Sequence, residues 1–192
     1  LERVPLTLEL GLAALALTLL LGLGAGILAS LNRGNAIDHA TMAFTIFGHS
    51  MPNFFLGILM ILLFAMTWRV LPSSGAGSIE HLIMPAVTLG TSYAATVGRF
   101  TRSSLLEVFP IVTVIGLRIG ALIGGAVVVE SVFAWPGVGQ LLVNAVAFRD
   151  LAVVQTVVLL IAFTMVVVNF LVDILYGWLD PRIGAGRREA QA

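Results

Sequence analysis

The chain reads as an all-α membrane protein, a single domain over residues 1–192 with five transmembrane helices. Three observations predict this. Hydrophobic residues make up 59% of the sequence and charged residues only 10%. The mean hydropathy of +1.06 is that of a chain whose solvent is lipid. Five apolar stretches each reach the roughly 20 residues a helix needs to cross about 30 Å of hydrocarbon.

The first span runs from about Leu6 to Ala29 and is too long for the core of a signal peptide. The second, Met42 to Trp68, contains Pro52, whose ring removes a helical hydrogen bond, so a kink or break is expected there. The third, Leu82 to Phe100, carries Pro85 near its start, read as a tolerated first-turn proline, and a small-residue stripe at Gly90, Ala94 and Gly98. The fourth, Ile111 to Phe133, repeats the device at Gly116, Gly120 and Gly124, a spacing of four that lets another backbone approach one helix face. The fifth runs from Leu151 to Leu175.

Arginine placement orients the spans. Arg33, Arg99, Arg102, Arg182, Arg187 and Arg188 fall on one side, against Arg3, Arg69 and Arg149 on the other. By the positive-inside rule the first side, with the C-terminus, is cytoplasmic, in an inner-membrane, multi-pass topology. This puts the N-terminus outside and leads to the expectation of one more span upstream of Leu1.

Several function classes drop out. Lysine is absent, so no Gly-rich phosphate loop of the Walker type exists, and if ATP drives the protein another chain hydrolyses it. Cysteine is absent too, which removes thiol nucleophiles, disulfides and thiolate metal sites. There is no basic tract for nucleic acid. His39, His49 and His81 lack metal-ligand spacing, so no metal site and no catalytic residue is assigned. Ser50 beside His49 points away from it on a helix, which makes an intramembrane hydrolase a weak reading.

Arg118 lies inside the fourth span, where a charge costs at least about 2.5 kcal/mol unless it snorkels or faces water. Both readings stay open, and with Gly116, Gly120, Gly124 and His49 it marks a possible translocation pathway. Glu9 and Glu130 sit near outer span ends and read as water-accessible interfacial carboxylates. After the fourth span comes Phe133-Ala-Trp135-Pro136-Gly137-Val-Gly139. The Pro-Gly pair stops the helix and turns the chain, Trp135 suits the interface, and Gln140 to Phe148 should form a short helix at the outer surface. The closing Asp180-Pro181-Arg182 stops the last span.

Together these segments resemble the permeases of the dipeptide, oligopeptide and nickel class of bacterial and archaeal ABC importers. The matching stretches are Arg3 to Leu10, Ser50-Met-Pro-Asn-Phe-Phe-Leu-Gly57, Leu71 to Gly75 and Arg99-Phe-Thr-Arg102-Ser-Ser-Leu-Leu-Glu107. They continue through Gly116 to Glu130, Phe133 to Gly139, and Asp180 to Arg182.

The resemblance implies a pore-forming, six-span subunit working by alternating access beside a second homologous permease. Two cytosolic ATPase subunits would bind ATP and its magnesium, and an extracytoplasmic solute-binding protein would dock near Trp135, Pro136, Gly137 and Gly139. Arg99, Arg102 and Glu107 would flank the attachment of the motor. Between Phe109 and Pro110 the family's cytoplasmic coupling loop has no counterpart, and the expectation is that the loop exists in the natural protein, with the numbering running across its absence. The competing reading is an ATPase-independent channel or secondary carrier, for which an odd span count without an inverted repeat is a poor fit.

Overall fold

In the computed structural model, residues 2–103, 122 and 124–179 are described, with residues 44, 48, 49 and 175–179 described by backbone alone. Every regular element among them is helical.

Helix α1 spans Val4–Leu31, with Pro5 in its first turn, where the missing N–H is no loss. The second expected span is divided into α2, Ala36–Ser50, and α3, Asn53–Met60, the latter running on as a π-helical stretch, Ile61–Thr67. Met51 (ψ 128°) and Pro52 (ψ 139°) are extended between them, so the proline produces a break, as expected. Helix α4 covers Ile79–Ser103, and α5 is helical over 124–132. Helices α6, Val138–Ala147, and α7, Leu151–Leu179, complete the described chain.

The sequence places Pro85 in a first turn, but α4 begins six residues earlier and Pro85 is buried inside the helix. The added first turn carries the acidic Glu80, which suits the positive end of the helix dipole. Ser78 Oγ lies 2.8 Å from His81 Nδ1 and ties that first turn together.

Among the described residues, α1 over Val4–Leu31 and α7 over Leu151–Ile174 are long and apolar enough to cross a membrane by length and composition. Helix α4 is more polar because it is the most enclosed: thirteen of its residues are buried, Thr88, Ser92, Thr96 and Thr101 among them. Helix α7 is the opposite, with Leu159, Phe163, Val166 and Phe170 all more than 60% exposed. Such a surface is stable only against lipid or another apolar face.

Helices α1 and α4 form the principal seam. A Cβ added to Gly22 would come 2.8 Å from that of Val97, and one on Gly90 would come 2.9 Å from the Ala14 carbonyl. One on Gly26 would collide with Thr101. Thr18 donates its hydroxyl to the Gly90 carbonyl at 3.1 Å. The Gly90, Ala94, Gly98 stripe is thus an intrachain contact. Its complement, Gly22 and Gly26, shares the spacing of four. Leu10, Ala14, Met84, Leu89, Leu122, Val129, Phe133 and Trp135 fill the core toward the outer end.

Candidate functional site

Three polar clusters interrupt this apolar body. The first organises the outer turn. Helix α5 ends in a Schellman arrangement: Trp135 N–H donates to Glu130 O at 2.9 Å, with Ala134 left-handed at φ 46°.

The Glu130 side chain folds back under the turn it precedes and is fully buried, not the water-accessible carboxylate expected from its place near a span end. It accepts hydrogen bonds from Thr7 Oγ1 (2.7 Å), Gly139 N–H (2.7 Å) and Gln140 N–H (3.1 Å). The two backbone donors open helix α6, so an acidic group occupies the positive end of a helix dipole.

Thr7 closes the loop by accepting from Val138 N–H at 2.8 Å, and the Trp135 indole donates to Leu6 O at 3.0 Å. Trp135 is therefore a core residue holding α1, not an interfacial one. Gly137 and Gly139 are buried against Glu130, and any side chain on Gly137 would overlap the carboxyl group. On the far side of α6 and in its following turn, Val143, Val146 and Phe148 are exposed.

The second cluster lies beside the break in the second span. Asn53, the first residue of α3, accepts from Ser92 on α4. A Cβ on Gly125 would stand 2.7 Å from the Tyr93 hydroxyl, so α5 passes this cluster closely. Gly124, by contrast, has nothing within 4 Å of its added Cβ. Gly124, the one residue of the fourth-span stripe that is described, thus faces away from the described helices.

The third cluster sits where arginine placement puts the cytoplasm. Asp38, in the first turn of α2, is fully buried and takes a bidentate pair from Arg102, Nε at 2.6 Å and Nη2 at 2.7 Å. Gly34 N–H adds a bond at 2.9 Å, and Arg33 Nη2 donates to Arg102 O at 3.3 Å. The hydrogen bonds from Arg102, helped by that from Gly34, hold the Asp38 carboxyl down at about 2. The same pairing raises the Arg102 guanidinium above its ordinary range.

Of the residues the sequence singled out, Arg102 is thus engaged in a clamp, whereas Arg99 is exposed on the next turn back. His49 lies in the last turn of α2, before the break. Glu107, Gly116, Arg118, Gly120, the Phe109–Pro110 junction and the closing Asp180-Pro181-Arg182 lie outside the described residues. Among the described residues no cluster of His, Asp or Glu could hold a metal ion.

A bundle of this kind, with one span broken and one helix almost wholly exposed, is that of a multi-span membrane protein. Solved structures share it. A chain of the inward-facing MetNI methionine ABC transporter matches with a TM-score of 0.79 over 93% of this chain and 95% of that one, at 18% identity. A chain from the crystal structure of an amino acid ABC transporter with histidines matches with a TM-score of 0.68 over 94% and 92%, at 13% identity.

The chain belongs to the family of binding-protein-dependent transport system inner membrane components, whose model matches residues 22–111 and 108–185. It is 36% identical to the di/tripeptide transport system permease protein DppB of Pseudomonas aeruginosa (strain UCBPP-PA14) over 236 residues, 93% of this chain and 70% of that protein. It is likewise 36% identical to the glutathione transport system permease protein GsiC of Escherichia coli (strain K12) over 211 residues, 95% of this chain and 69% of that one. The chain is an ABC importer permease of the inner membrane, and the resemblance drawn from its motifs holds.

Proposed function

We propose that this permease moves peptides, or a related small solute, by alternating access, with a second permease, two ATPase subunits and an extracytoplasmic binding protein as its partners. The observation that carries this reading is the similarity, over more than nine-tenths of the chain, to permeases named for di/tripeptide and glutathione transport. ATP and magnesium belong to the ATPases, since this chain has no lysine for a phosphate loop.

The roles of the clusters follow from their places. The exposed side of α6, held by Glu130 and Thr7, suits a docking protein at the outer face. Arg99 and the Arg102–Asp38 clamp suit the end where the motor attaches, and the arginine placement supports a cytoplasmic C-terminus on the same side.

Coupling to the motor turns on the Phe109–Pro110 junction. The family model matches in two stretches that meet at 108–111, and the alignment with the Pseudomonas relative runs over 236 residues against a chain of 192. Both support the reading that a coupling segment between Phe109 and Pro110 has no counterpart here. Sequencing the natural gene across that junction is expected to reveal an in-frame insertion, and an uninterrupted junction would defeat this part of the proposal.

The test of function is reconstitution in proteoliposomes with the partner permease, ATPases and binding protein. Using a natural chain that carries the loop, dipeptide uptake should require ATP and binding protein together. Uptake by this chain alone, without ATP, would instead establish a channel or carrier.

A further inference from the structure

The break in the second span lies deep in the membrane. Counted from Met42, where the apolar span begins, α2 contributes nine residues before it, roughly 13 Å of axial rise into about 30 Å of hydrocarbon. The last carbonyls of a helix have no partner within it, and Pro52 brings no N–H to the Gly48 carbonyl. Ser50 does not compensate, because its hydroxyl donates to Ile46 O at 2.8 Å. Ser50 and Pro52 are both exposed, so none of the described residues covers the opening. On its inner flank, Met51 borders a cavity of about 500 Å³ shared with Thr41, Thr45 and Thr91. On the other, Asn53 is tied to Ser92, which fixes where the helix restarts.

Lipid tails offer no hydrogen bonds, and irregular backbone at this depth is stable only against water or protein. We infer that the exposed break at Ser50, Met51 and Pro52 lines the aqueous translocation pathway. Its open carbonyls accept hydrogen bonds from water and from the N–H or ammonium groups of a passing solute. This deepens the permease reading and rests on it.

The chain has no cysteine, which makes the test direct. Ser50→Cys, and separately Met51→Cys, are compared with Phe163→Cys on unbroken α7, in the assembled transporter in membranes. The probe is a water-soluble, charged methanethiosulfonate. Only an ionised thiol reacts, so the break positions should react at least about tenfold faster than the thiol introduced on α7, and their modification should block uptake.

Equally slow reaction at all three positions, in a complex that still imports solute, overturns the inference and leaves the permease reading intact. That outcome would mean that lipid or the partner permease covers the break. Fast reaction at the break in a complex that imports nothing supports the water-facing opening and removes the transport reading.

Discussion

Asp38 and Glu130 are both fully buried carboxylates at opposite ends of the bundle, and they are satisfied by different means. Asp38 meets a guanidinium that remains 35% exposed, so its partner keeps contact with water. Among the described residues, the groups that hydrogen-bond to Glu130 are neutral, one hydroxyl and two backbone N–H groups. When the Asp38 pair parts, Arg102 can turn to water while the buried Asp38 carboxylate keeps only the Gly34 N–H, whereas a carboxylate enclosed by neutral donors strands all of them when it leaves. The Asp38 end is thus fastened by an ion pair with one partner reaching water, and the Glu130 end by a joint of neutral donors.

The largest effect is expected from breaking the joint. Glu130→Ala strands three donors at roughly 1–3 kcal/mol each, and a total loss above about 3 kcal/mol should appear in thermal unfolding of the purified protein. Gly137→Ala should be similarly harmful because its Cβ would overlap the Glu130 carboxyl group. In the double variant the two losses should fall well short of additive. Additive losses would show that the two residues do not share one joint.

Wedging the seam comes next. Gly22→Leu or Gly26→Leu forces α1 from α4 and should cost about 1–3 kcal/mol or more. A cross-link between those helices, lost in the variant, would report the separation.

Releasing the clamp by Asp38→Asn should do less, and acid should mimic it. Asp38 titrates lower in the folded chain than in the unfolded one, so its contribution is complete above the ordinary carboxylate range. It is lost as pH falls toward about 2. The wild-type stability curve should drop in that window more than that of Asp38→Asn; parallel curves would separate Asp38 from acid sensitivity. The smallest effect sharpens the contrast between neighbouring glycines. Gly124→Ala meets nothing and should stabilise its helix by roughly 0.5–1 kcal/mol. Gly125→Ala, against Tyr93 and Leu89, should destabilise it.

Much of this architecture was legible in the chain because it is written locally. Hydrophobic length gave the first and fifth spans, Pro52 gave the break, and the Pro136-Gly137 pair gave the turn and the short helix after it. The Gly90, Ala94, Gly98 stripe announced a packing face. Its complement, Gly22 and Gly26, was equally visible at the same spacing and went unread, since three glycines alternating within a span resemble ordinary membrane composition.

What could not be read is set by distance along the chain. Thr7 and Glu130 are separated by 123 positions, and Asp38 and Arg102 by 64. A carboxylate near a span end looks interfacial until its distant partners close over it. Trp135 misled for the same reason: its indole N–H suits a headgroup region equally well as the Leu6 carbonyl it actually meets.

The π-helical stretch Ile61–Thr67 leaves its own mark. Its wider coil packs more residues into each turn than the α form does, so this length of the molecule holds slack. Removal of a single residue there can be absorbed by tightening to the α form. The outer ends would stay level, and only the faces beyond the shortened coil would swing around.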